Sequence, residues 1–217
     1  MGAGRAGKQR HRSLPAQPAV HPRRGRPAYI QAELYRANEI ESYDTAALRL
    51  RTQAGVEVSF YTTHAVPSHF GPLIHYHFAE AELYGQVPGS LYARMRDGGV
   101  IDYGYPEKSP GDKIHDTIQA IRAGEPPACS VQEASNQTLA ICGAHESAPI
   151  AEVPRVLVRQ TLADPGVDDQ LTWVDGLQGA LVQCFSQRIL PAEHGGFSWA
   201  RAGQVVDLEG YRSYPGG

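Results

Sequence analysis

Thr45-Ala46-Ala47-Leu48-Arg49-Leu50-Arg51-Thr52-Gln53-Ala54-Gly55-Val56-Glu57-Val58-Ser59-Phe60 is the stretch on which the fold turns. Ala46, Leu48 and Leu50 recur at a spacing of two, which puts them on one side of an extended chain. Gln53-Ala54-Gly55 is long enough only for a tight turn, and Val56, Val58 and Phe60 then resume the alternation. Residues 45 to 60 therefore predict a β-hairpin.

The same period extends outward. Upstream, Ile30, Ala32 and Leu34 alternate with Gln31, Glu33 and Tyr35, a strand with one apolar and one polar face. Downstream, Leu73 to Glu80 sets Ile74, Tyr76 and Phe78 against His75 and His77. Leu91 to Met95 is joined to Val100 to Tyr103 through Arg96-Asp97-Gly98-Gly99, whose glycines suit the positive backbone dihedrals of a hairpin turn. Residues 29 to 105 thus hold about six or seven strands, with no helix between them to build a parallel sheet.

The period changes after residue 110. Ile114, Ile118 and Ile121 have helical spacing, closed by Gly124 and Pro126-Pro127. Ser130-Val131-Gln132-Glu133 is a capping box that opens a helix to about His145, and Leu177, Leu181, Cys184 and Phe185 predict a last helix ending near Ile189. Helices that follow strands indicate an α+β fold: an open, mainly antiparallel sheet with helices packed on one face.

The chain has 217 residues, 41% of them hydrophobic, enough for a real core. Its net charge of -3 is unevenly placed: Arg5, Lys8, Arg10, Arg12, Arg23, Arg24 and Arg26 precede the first acid, so residues 28 to 217 carry -10. Such an acidic body argues against nucleic acid as the partner, although a basic tail acting alone would bind it in a salt-sensitive way. The expected organisation is a disordered basic tail over 1 to 27, a folded domain over 28 to 203 and a flexible tail over 204 to 217. No run approaches the roughly 20 apolar residues that span a bilayer, no secretory leader follows the basic start, and a cytoplasmic location is expected. Cys129, Cys142 and Cys184 form neither a zinc pattern nor a disulfide framework and read as buried, reduced thiols.

Gly2-Ala3-Gly4-Arg5-Ala6-Gly7 has the glycine spacing of a dinucleotide-binding turn. That fingerprint requires a strand before it and a helix after it, and the flanking residues supply neither. His75 and His77 share a strand face, and His64 and His69 are close in sequence, but no carboxylate or thiolate lies at ligand spacing, so no metal is expected. Hydrolase motifs are missing as well.

The runs Glu41-Ser42-Tyr43-Asp44-Thr45-Ala46-Ala47-Leu48-Arg49-Leu50-Arg51 and Phe60-Tyr61-Thr62-Thr63-His64-Ala65-Val66 resemble the carboxy-terminal domain of the Gfo/Idh/MocA family, named for glucose-fructose oxidoreductase and inositol dehydrogenase. The resemblance continues through Gly71-Pro72, Asp97-Gly98, the run from Ile118 to Gly124, and Thr138 to Ser147. It covers residues 29 to 203 and lies in the order of elements.

The resemblance implies an open sheet that shapes a sugar or polyol pocket and a homo-oligomer interface, beside a Rossmann domain that binds NAD or NADP. The glycine-rich turn, the Glu-Lys-Pro motif and the Asp-x-x-x-His pair of the family have no counterpart in context; Glu107-Lys108-Ser109-Pro110 is a scrambled echo in a loop. The expectation is a truncated, substrate-side portion that binds no cofactor and is inactive alone. Its substrate-facing candidates are Tyr61, His64, His75 and His77, with His64 the one candidate base. The alternative is a stand-alone sugar-binding or scaffold protein that presents Tyr35, Tyr61, His75 and Tyr76 on the open face.

Overall fold

A computed structural model describes residues 25–105, 109–162 and 170–214. The Gly2 to Gly7 run, Glu107, Lys108 and all but the last three residues of the basic segment lie outside them.

The hairpin that opened the sequence reading is present, as β2 (Thr45–Thr52) and β3 (Glu57–Thr63), with β1 (Pro27–Arg36) before it. These three are antiparallel neighbours, with Ala32 opposite Leu48 and Leu48 opposite Phe60. A meander follows: β4 (Leu73–His77), β5 (Ala81–Gln86), β6 (Leu91–Met95) and β7 (Val100–Asp102) pair in chain order as a second antiparallel sheet. Among the described residues the strands thus divide between sheets, where the alternation alone suggested one. Pro67 and Pro72 lie between β3 and β4, and proline has no N–H to continue a ladder. Within this meander the strand without a counterpart in the sequence analysis is β5, whose inner positions carry small Ala81 and Gly85 around Leu83 and so give a weak apolar signal.

Two helices come next. The first, α1 (Pro110–Ala123), begins where Asp112 accepts from the Ser109 N–H at 3.0 Å and ends on Gly124, whose φ of 71° is a left-handed conformation that glycine adopts at no steric cost. Its Ile114, Ile118 and Ile121 stripe is exposed. The second, α2 (Val131–Ser147), opens with the predicted capping box, Ser130 and Glu133 exchanging contacts of 3.3 Å, and packs on β1.

The rest of the chain returns to β1. A short strand, β8 (Ile150–Glu152), runs parallel to the end of β1, and β9 (Val158–Leu162) pairs with β10 (Gln170–Val174) as a separate ribbon. Then come α3 (Leu177–Gln187), the single turn α4 (Pro191–His194) and β11 (Val206–Asp207), which pairs with Tyr29 and Ile30. The segment from 204 onward, expected as a flexible tail, therefore contributes an edge strand and the fully buried Leu208.

The α+β class and the mainly antiparallel pairing agree with the sequence reading. The layering goes further, because both faces of β1 are covered. Ile30, Ala32 and Leu34 pack with Ala144 of α2 and with Leu208. Tyr35, on the opposite face, packs with Leu177 and Leu181 of α3. The alternation pointed to a polar open face because Gln31, Glu33 and Tyr35 carry polar atoms. Those atoms instead bond the returning chain: Gln31 to Gly203 O at 2.9 Å, Glu33 to Ala192 N at 3.1 Å and Tyr35 Oη to Arg201 N at 3.1 Å. Buried polar groups are tolerated when they are so paired.

Candidate functional site

Strand pairing in the second sheet builds a polar and aromatic face from residues far apart in sequence. His75 of β4 stands opposite Tyr84 of β5, Tyr84 opposite Tyr92 of β6, and Tyr92 opposite Asp102 of β7. One step along, His77 stands opposite Glu82, and Glu82 opposite Arg94. Since directly paired residues project to the same side of a sheet, these side chains share one face. Tyr84 and Tyr92 stack with centroids 6.0 Å apart, and the Arg94 guanidinium lies over the Tyr84 ring at 5.4 Å.

A depression of about 540 Å³ opens at this face, lined by His75, Tyr84, Gln86, Tyr92 and Phe185 among others. Phe185 connects it to the first sheet, because its ring meets Tyr61 edge-on at 6.4 Å. Tyr61 itself is half-buried and its hydroxyl donates to Ile189 O at 2.9 Å; burial holds that phenol above its ordinary pKa.

The four residues singled out from sequence thus fall in different places. His75 and His77 are neighbours on β4, with ring centroids 3.9 Å apart. Tyr61 approaches the depression through Phe185. His64 follows β3 as an exposed residue, and its backbone N–H donates to Asp44 O at 2.8 Å. Of the other two tyrosines expected on an open face, Tyr35 is in the core and Tyr76 projects from the side of β4 opposite to His75.

Glu82, Tyr84 and Tyr92 are the residues that sequence reasoning missed. The signal was the alternation Glu82, Tyr84, Gln86, which identifies a strand face only once β5 is recognised. Glu82 also supplies the carboxylate that no short spacing in the sequence provides: His75, His77 and Glu82 each offer a donor atom, all within 4.8 Å of one another.

A second polar cluster lies buried beneath α3 and α4. Tyr35 Oη donates to Glu33 at 2.5 Å, and the Ala192 N–H donates to the same carboxyl. Burial raises the Glu33 pKa, and burial together with Glu33 pushes the Cys184 thiol up to about 11. Cys184 therefore stays a thiol, which is a poor nucleophile. Of the other cysteines, Cys142 is partly covered and Cys129 is exposed, since it lies in the connection between α1 and α2 rather than in the core. With its oxygens already bonded, Glu33 ties β1 to the turn at Ala192. A further depression, of about 460 Å³, is lined by charges that pair with one another: Arg36 with Glu152 at 2.9 Å and Arg155 with Glu39 at 3.3 Å.

Fold and site together define an α+β domain with an aromatic and imidazole face on an antiparallel meander, beside an open depression. No family model and no curated protein sequence matches the chain. Similar solved structures include UDP-N-acetylglucosamine 3-dehydrogenase GnnA from Acidithiobacillus ferrooxidans, at 15% identity and a TM-score of 0.44 over 54% of this chain and 40% of that one. Another is an oxidoreductase from Agrobacterium radiobacter in complex with NAD+, L-tartaric acid and magnesium, at 16% identity and a TM-score of 0.46 over 58% of this chain and 43% of that one. The WlbA dehydrogenase from Bordetella pertussis, in complex with NADH and UDP-GlcNAcA, matches at 16% identity and a TM-score of 0.35 over 57% and 39%. The matched part spans about two-fifths of the length of these structures. No helix among the described residues is long and apolar enough to cross a membrane.

Proposed function

We propose that this chain is the substrate-side and oligomerisation part of an NAD(P)-dependent sugar or polyol oxidoreductase, with NAD or NADP held by a dinucleotide-binding domain outside the residues described. The observation that carries the reading is the row His75, Tyr84, Tyr92 and Asp102 beside an open depression. Aromatic faces accept the apolar faces of sugar rings, while an imidazole, a carboxylate and the Gln86 amide suit ring hydroxyls. The resemblance of residues 29 to 203 to the Gfo/Idh/MocA carboxy-terminal domain supports the same reading. His77 shares this face and Tyr61 meets the depression through Phe185, whereas His64 is not among the residues lining it, so no catalytic base is assigned to this chain. A second copy of the chain is proposed to pack on the first sheet, where Val58 and Phe60 are exposed on its edge strand.

The test is titration calorimetry of the chain with myo-inositol, glucose, NADH and NADPH. The expected result is sugar or polyol binding that is lost in Tyr84→Ala and Tyr92→Ala, with no uptake of either nucleotide. Polyol binding that survives both substitutions would remove the face from the function. Micromolar binding of NADH or NADPH would overturn the division of labour.

A further inference from the structure

We propose that His75, His77 and Glu82 form a binding site for a divalent metal ion of the zinc type. This goes beyond the oxidoreductase reading, does not depend on it and runs against the sequence-based expectation that no metal is held. A strand alternates its side chains, so His75 and His77, two residues apart, emerge together. The register of β4 on β5 sets Glu82 directly opposite His77 and diagonal to His75. Paired backbone thus brings three donor-bearing side chains onto one patch before any ion arrives, which lowers the cost of gathering them.

The distances suit one ion. The His77 Nδ1 to Glu82 Oε1 distance is 3.5 Å and the His75 Nε2 to Glu82 Oε2 distance is 3.7 Å. Ligand atoms at bond lengths of about 2.1 Å and tetrahedral angles stand roughly 3.4 Å apart. Both separations exceed the roughly 2.7–3.2 Å of an N–H···O hydrogen bond, each imidazole facing its own Glu82 oxygen, and one donor atom from each residue lies within 4.8 Å of the others.

The neighbouring cation is turned away. Arg94 is opposite Glu82 on its other side, yet its guanidinium lies over Tyr84, and among the described residues it forms no ion pair with Glu82. The carboxylate charge is directed at the imidazoles instead. Two neutral imidazoles and one carboxylate are a ligand set that zinc accepts, with the fourth position left for water or a hydroxyl. The donors' side chains are 37%, 40% and 45% exposed, so an ion reaches them from solvent. His75 also lines the depression.

The experiment is Zn²⁺ titration of the metal-free full chain by calorimetry, with Co²⁺ as a spectroscopic substitute. One ion per chain is expected to bind, at least about tenfold more weakly in each of His75→Ala, His77→Ala and Glu82→Gln. His115→Ala, on α1, is expected to bind as the parent does. Circular dichroism of each variant separates loss of the site from loss of the fold, and Glu82→Gln keeps the strand surface nearly isosteric. The Co²⁺ complex should lack the intense charge-transfer absorption of a thiolate ligand. Failure to take up Zn²⁺, uptake that survives all three substitutions, or a thiolate signature that assigns the ion to cysteine would each overturn the proposal.

Discussion

Glu33 shows how one residue's role depends on what returns to meet it. Its side chain is fully buried on the face that the alternation marked as polar, and both carboxyl oxygens are bonded. Burial is the first cause of its raised pKa, with its hydrogen bonds to Tyr35 and Ala192 acting in the other direction. The folded protein therefore holds this proton more tightly than the unfolded chain does, and ionising Glu33 costs stability as pH rises from 4.5 through the raised folded value. Glu193 behaves oppositely: its bond from Arg49 lowers its pKa, so that contribution is present above 4.5 and is lost as pH falls through the lowered value. In urea unfolding from about pH 4 to pH 8, the parent should lose stability relative to Glu33→Gln as pH rises. Parallel curves would show that Glu33 does not titrate between the two states.

At the scale of elements, β1 is completed by pieces from three later parts of the chain. β11 bonds its start and β8 its end, which leaves Ala32 between two short partners. Ser147, the last residue of α2, fills the gap: its Oγ accepts from Ala32 N at 2.8 Å and donates to Gln204 O at 2.6 Å. Gly203 passes so close that an added Cβ would come within 2.2 Å of Ala32 O, hence only glycine fits there. Ser147→Ala leaves the buried Ala32 N–H without that acceptor, and a loss of about 1–3 kcal/mol is expected from denaturant unfolding. A change under about 0.5 kcal/mol would mean that another group takes over the bond. By contrast α1 owes its existence to local signals, its cap, its turn-forming glycine and its spacing, because its apolar stripe meets no core among the described residues.

For the whole molecule the unequal coverage of the two sheets matters most. The first sheet is packed on both faces around β1, but toward its edge strand Val58 and Phe60 remain exposed. The self-association proposed above would use this exposed apolar pair. Sedimentation velocity should show a defined oligomer, shifted toward monomer by Phe60→Asp, whose charge cannot be buried without a partner. An unchanged distribution would exclude that surface from self-association. The second sheet carries its polar row on one face and Ile74, Leu83, Ala93 and Ile101 on the other, so the register alone separates its polar from its apolar side.

Local chemistry was legible in the sequence: the 45 to 60 hairpin, the Asp97-Gly98-Gly99 turn and the ends of α1 and α2 depend on neighbours a few residues away. So did the common face of His75 and His77, which follows from a period of two. The partners across strands did not, because Glu82 meets His77, and Tyr84 meets His75, only through the register of β4 on β5. Nor was the burial of Glu33 and Tyr35, whose polar atoms are satisfied from more than 150 residues away by Ala192 and Arg201. Period and capping determined which segments became strands and helices. Only tertiary structure decided which faces were closed and which donors converged, since burial and convergence depend on chain segments that no local window contains.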